Sequence, residues 1–208
     1  MFYFIQTPGW VKKLYPSCIW QINTKKKIIY LSFDDGPHHE ATPFVLNELK
    51  KYNAKATFFC IGKNVVELQH IYRRIIEEGH AVGNHTYNHL NGWKTDNDLY
   101  FENIASASDV IKSNLFRPPY GKITFKQVKI LRKKPIGLKI IMWNVLSGDF
   151  DQSSSNKKCL DNVIKNAYEG SIIVLHDSEK AFEKLQFILP KFLAHFTAQG
   201  YQFDKIMV

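Results

Sequence analysis

Apolar runs of strand length recur along this 208-residue chain with helix-length amphipathic stretches between them, which confines the fold to β/α units and excludes a β-sandwich. The strand candidates are 27–33, 55–61, 81–84, 115–117, 139–144, 171–176 and 201–203. The first helix is signalled by Thr42 as cap, Pro43 at the first helical position and a stripe of Phe44, Val45, Leu46 and Leu49 that ends near Asn53. Thr95 and Asp98 read as a capping box opening a helix that runs through Ile111, and 152–156 reads as a loop. Periodicity alone leaves open whether the strands form a barrel or an open doubly wound sheet.

The length suits one core, and the 45% apolar and 14% aromatic fractions fit a packed, soluble globule. No run of about 18 apolar residues is present to span a bilayer. Residues 1–6 are too brief for the apolar stretch of a secretory signal, and Lys12-Lys13 follow them, so the cytoplasm is the default compartment. Cys18, Cys60 and Cys159 are widely spaced and form no CxxC pair, which reads as buried free thiols. The net charge of +9 reads as a solvated basic shell, because 25–27, 132–134 and 157–158 are short clusters without interleaved aromatics. A nucleic-acid partner is not expected.

The polar motifs stand at the carboxyl ends of the strand candidates: Asp34-Asp35, His85, Arg117, 144–149 and His176-Asp177. In a β/α barrel those ends share one mouth. Neighbouring side chains of an extended strand point to opposite faces, so Asp34 and Asp35 can serve one site only where Gly36-Pro37 turns the backbone. His85 and His89 are four apart, on one face of a helical turn, and can close on one ion with a carboxylate as third ligand. Alone, each of these motifs reads as an ordinary polar loop.

Five ordered blocks reverse that reading. Ser32-Phe33-Asp34-Asp35-Gly36-Pro37 resembles the first motif of the NodB-like polysaccharide deacetylases, carbohydrate esterase family four. His85-Thr86-Tyr87-Asn88-His89 is similar to the second, Arg117-Pro118-Pro119-Tyr120-Gly121 to the third, 143–150 to a variant fourth and Ile173-Val174-Leu175-His176-Asp177 to the fifth. The resemblance implies a distorted, incomplete (β/α) barrel, with 27–208 as the catalytic domain and 1–26 as an extension packed on it. It implies one divalent metal on Asp35, His85 and His89, zinc first, with cobalt, nickel or manganese compatible with the same donors. Asp34 is then the general base, Arg117 its orienting partner, the Tyr120 N–H an oxyanion donor, His176 the general acid and Asp149 the partner of His176.

The implied substrate is an N-acetylated amino-sugar glycan of chitooligosaccharide or peptidoglycan type. An O-acetyl esterase acting on xylan-like glycan and a catalytically silent glycan-binding module are the alternatives, and the second is disfavoured because no base, acid or ligand is missing. Leu146 and Phe150 stand where many members carry Asp and Trp, a departure that bears on the groove wall. Trp93, Trp143 and Leu175 are candidate apolar surfaces for a sugar face or acetyl methyl. His38, His39, His70, His80 and His195 read as surface or structural residues.

Overall fold

Strand β1 (Ile28–Asp34) alternates Ile29, Leu31 and Phe33 with Tyr30, Ser32 and Asp34, so it offers one apolar face and one face that turns polar toward its end. The computed structural model describes residues 3–208, so Met1 and Phe2 of the expected extension lie outside the described residues. Seven further strands follow: β2 (Ala56–Cys60), β3 (Ala81–Asn84), β4 (Leu115–Phe116), β5 (Lys139–Ile140), β6 (Val145–Leu146), β7 (Ile172–His176) and β8 (Gln202–Phe203). They pair in parallel in the order β5-β4-β3-β2-β1-β7-β6, and β8 adds to the start of β1.

β5 and β6 lie at opposite edges of that order, yet only residues 141–144 join them. Four linking residues reach at most about 17 Å, so the sheet has to curl until its edges nearly meet. The chain's beginning lies along this seam. Gln6 bridges Val145, Ile19 bridges Ile141 and Gln21 bridges Ser171. The result is the distorted, incomplete (β/α) barrel that the motif blocks imply.

Helices cover the outside: α1 (Gly9–Leu14), α2 (Ala41–Lys51), α3 (Gly62–Glu67), α4 (Gln69–Glu77), α5 (Asn97–Val110), α6 (Phe125–Leu131), α7 (Asn156–Asn166) and α8 (Phe182–Ala198). Leu31, Phe33, Ile173 and Leu175 face them, buried with Leu46, Leu189 and Phe192. Tyr30, Phe59, Leu115, Ile141 and Ile172 form a separate cluster with Ile206. Each fully buried side chain of this size contributes about 1.5–3 kcal/mol. Among the described residues no helix is long and apolar enough to cross a membrane. The three cysteines are free and buried, and burial pushes Cys18 and Cys159 up to about 11, away from reactivity.

Several local expectations shift. Thr42 lies inside α2, which has no side-chain cap at Glu40; the His38 Nδ1 accepts from the N–H groups of Glu40 and Ala41 instead. Pro43 is correspondingly the third helical residue. Asp96, not Thr95, caps α5 by accepting from the Asp98 N–H. The single strand expected over 139–144 ends at Ile140; residues 141–144 form the crossing, where Asn144 bonds with Ser171 and Ile172, and β6 begins beyond it at Val145. Leu175 is sealed beneath the helices and presents no substrate-facing surface, whereas Trp93 is exposed and Trp143 half-buried.

Candidate active site

β1 ends at Asp34, and Asp35 takes a left-handed conformation, φ 81°, which breaks strand alternation and lets adjacent acids serve one site. The turn is clamped by the neighbouring strand end. Asp177 accepts the Gly36 N–H at 3.1 Å and the Thr42 hydroxyl at 2.5 Å, while its own N–H donates to Asp34 O at 3.1 Å. A Cβ at Gly36 would lie 2.1 Å from Asp177 Oδ2, so only glycine fits.

His85 closes β3 and His89 follows it on an irregular loop rather than a helical turn, with Thr86 at φ 61° and His89 at φ 58°. Side chains replace helical bonding here: Asn84 Oδ1 accepts from Thr86 N–H, and Asn103 Oδ1 accepts from the N–H groups of Tyr87 and Asn88. The loop nonetheless brings both imidazoles to Asp35. Its Oδ1 lies 3.1 Å from His89 Nε2 and 3.6 Å from His85 Nε2.

These residues form a three-ligand cluster whose donor atoms all fall within 4.8 Å of one another. Asp35 Oδ1 is buried and accepts no hydrogen bond, an orphaned anion facing two imidazole nitrogens. His85 Nδ1 sits 2.8 Å from Arg117 O, and since a carbonyl only accepts, Nδ1 carries the proton and Nε2 presents its lone pair. Burial pushes His85 down to about 4, so it is a neutral ligand at neutral pH. Burial works to raise the Asp35 carboxyl, but the imidazoles of His89, His176 and His85 outweigh it and hold the group below the usual carboxylate range. One carboxylate and two imidazoles suit a divalent cation, and the donor set does not select among zinc, cobalt, nickel and manganese.

Beside this cluster Arg117 is completely buried. Its Nη1 donates to Asp34 Oδ1 and to Ser32 Oγ, each at 2.7 Å, its Nε to Ile141 O and its Nη2 to Met142 O, both at 3.1 Å. The guanidinium also stacks 4.0 Å from the centre of the Phe59 ring. Asp34 is thereby fixed through one oxygen.

His176 is the register partner of Asp34 on the adjacent strand, so their side chains share a face. Asp149 holds it at two points, accepting the Nδ1–H at 2.7 Å and the backbone N–H at 2.8 Å. Burial lowers the affinity of His176 for its proton, but the Asp149 carboxylate outweighs it and pushes the group up to about 10. Phe150 stands edge-on to His176 at 5.3 Å, and the Tyr3 ring is tilted against Phe150 at 5.1 Å. Tyr120 is left-handed at φ 61°, more than half exposed, and its hydroxyl meets His89 Nδ1 at 3.1 Å.

The structure therefore gathers Asp34, Asp35, His85, His89, Arg117, Tyr120, Asp149 and His176 around one mouth. Sequence reading gave no role to Asp177, although it stands inside the fifth block, nor to Ser32, Asn84 and Asn103, and it gave Thr42 only the role of helix cap, whereas its hydroxyl donates to Asp177. His80, read as structural, is buried and accepts the Ala56 N–H.

Comparisons with known proteins converge. Residues 21–138 match the polysaccharide deacetylase family. A peptidoglycan-N-acetylglucosamine deacetylase of Bacillus cereus is 36% identical over 159 residues, 74% of this chain and 57% of that protein. A second B. cereus protein of the same name is 35% identical over 190 residues, 88% of each chain. The chain thus spans just over half of the first relative and most of the second. The crystal structure of the Bc1960 peptidoglycan N-acetylglucosamine deacetylase matches with a TM-score of 0.86 at 32% identity, covering 96% of this chain and 95% of that one.

Proposed function

The chain belongs to the polysaccharide deacetylase family, and from that premise we propose that it is a metal-dependent hydrolase releasing acetate from N-acetylated amino sugars in a glycan of peptidoglycan or chitooligosaccharide type. Residues 27–208 are the catalytic domain on this reading, and 1–26 an extension packed on it. The bridges from Gln6, Ile19 and Gln21 to the sheet support that division.

Asp35, His85 and His89 would hold a divalent cation, zinc by preference, which when bound would act as a Lewis acid toward water and the acetyl carbonyl. Asp34 takes the proton of the attacking water as the oxygen bonds to the carbonyl carbon, and Arg117 keeps that carboxylate aimed. The Tyr120 N–H steadies the oxyanion. His176 then gives its Nε2 proton to the departing nitrogen, since Nδ1 is committed to Asp149. The C–N bond breaks, leaving acetate and a free amine.

The observation that carries this reading is the opposed pair at the ends of neighbouring strands: Asp34 oriented by a buried arginine, and His176 hydrogen-bonded through Nδ1 to the buried Asp149. An amine leaves only when protonated, whereas an activated phenol leaves as its anion. His176→Ala is therefore expected to lower kcat/KM for N-acetylglucosamine oligosaccharides by about 10²–10⁴ while barely affecting an activated acetate ester. Equal losses on both substrates, at matched metal loading, would remove the acid assignment.

A further inference from the structure

Half of the 28 lysines and arginines, and none of the 19 aspartates and glutamates, fall in two segments, residues 1–33 and 110–148. The fold packs these segments together, with Trp20 and Tyr15 of the first in one cluster with Ile123, Val128 and Leu131 of the second. Their junction carries a groove of about 410 Å³. Lys129, Arg132 and Lys133 line it, all exposed and, among the described residues, none in an ion pair. Tyr15 and Phe125 stack within it, ring centres 4.4 Å apart and planes at 16°. Lysine and arginine clusters that are far apart in sequence from Tyr15 thus border a stacked aromatic pair in space.

One short segment joins this groove to the catalytic mouth. Ile123 O accepts both the Tyr15 hydroxyl and the Trp93 Nε1–H, each at 2.9 Å. Lys122 Nζ lies 4.1 Å over the Trp93 ring, and Tyr120, two residues earlier, meets His89. From Tyr120 to Phe125 the chain spans at most about 17 Å. Trp93, Tyr120 and Phe125 are 57%, 53% and 59% exposed, so large ring faces line the route to solvent where most of a fold's aromatics are covered.

We propose that this aromatic and basic track is a docking surface for an acidic glycan strand bearing carboxylates along its length, distinct from the catalytic cleft and continuous with it. Ring faces take the apolar faces of sugars, and the three unpaired cations take the carboxylates. A glycan is favoured over nucleic acid because the track runs into the mouth that hydrolyses the sugar amide, so its occupant is the remainder of the substrate chain. The inference rests on the deacetylase reading only for the identity of that occupant.

Binding without turnover tests it, by titrating the full chain with carboxylate-bearing peptidoglycan strands and with neutral chitooligosaccharides of matched length. The acidic strand is expected to bind more tightly, and to lose about tenfold in affinity between about 50 mM and about 300 mM salt. The triple variant K129Q/R132Q/K133Q should lose about tenfold on the acidic strand, keeping kcat/KM on a short neutral oligosaccharide within about twofold. Phe125→Ala should weaken binding of both long ligands with the salt dependence intact. Equal affinity for acidic and neutral strands, or a triple variant that binds like the wild type, would overturn the proposal. So would tighter binding to duplex DNA or to anionic lipid vesicles than to the strand. Absence of acetate release from every glycan would sink the proposed activity instead, and the binding comparison would still decide the docking surface.

Discussion

Burial takes the His85 imidazole down to about 4, whereas the two-point grip of Asp149 takes His176, also inside the mouth, up to about 10. One ring is thereby a lone-pair donor and the other a cation. The folded value for His176 lies above the unfolded value of about 6.5, so the stability it contributes is complete below about pH 6.5 and lost as pH rises through about 10. Urea denaturation in the presence of chelator should show that decline in the wild type and lose it in Asp149→Asn; matching pH slopes in the two proteins would contradict the assignment. A second residue-level prediction separates the adjacent acids. Asp34→Asn, which keeps an oxygen for Arg117, should retain its metal while the rate falls by about 10²–10⁴, whereas His89→Ala should lose the metal itself. Elemental analysis beside turnover decides it, and metal loss from Asp34→Asn would mean that the two aspartates exchange roles. The pairing of Asp34 with Asp35 was legible in sequence because Gly36-Pro37 follows immediately. The conformation of the 85–89 loop was not, since it depends on Asn103, a residue on a helix whose position no local pattern reveals.

The turn after β1 and the first turn of α2 are held by one carboxyl group at the end of β7, so three elements share Asp177. Asp177→Ala would leave the buried Gly36 N–H unpaired and cost about 1–3 kcal/mol of stability. It should also weaken metal binding by releasing the turn that presents Asp35, an effect that ordinary destabilisation would not produce in protein that remains folded. Denaturation of the chelated protein gives the first quantity, and metal titration of folded protein the second; full metal affinity would refute the clamp. Helix spans followed from their apolar stripes, but their starts did not. At α2 the histidine nitrogen of His38 outcompeted the expected Thr42 cap, whose hydroxyl is spent on Asp177. The break between β5 and β6 was invisible for a related reason. Residues 139–144 read as one strand, and the bonds that occupy the crossing are tertiary, from Arg117 to the Ile141 and Met142 carbonyls and between Asn144 and Ser171 and Ile172.

At the scale of the whole molecule, the alternation of strands and helices was legible because burial on a strand repeats every two residues and on a helix every 3.6. Closure was not, because it turns on a four-residue crossing and on an N-terminal stretch that completes the seam from a distance in sequence. The gathering of two acid-free segments on one side is likewise a product of topology. Arg117 ties these scales together. Its guanidinium reaches from the end of β4 to Ser32 and Asp34 on β1 and to the carbonyls of Ile141 and Met142 in the crossing. A residue anchored in that many elements cannot loosen by fraying, since every route to freeing it breaches the core. On heating, the proposed activity should therefore be lost only as the fold itself is lost. Its half-inactivation temperature should coincide with its calorimetric Tm within about 3 °C in the metal-loaded protein, and inactivation well below Tm would show the mouth softening by itself. The aim of Asp34 and the integrity of the sheet would then share a single melting point.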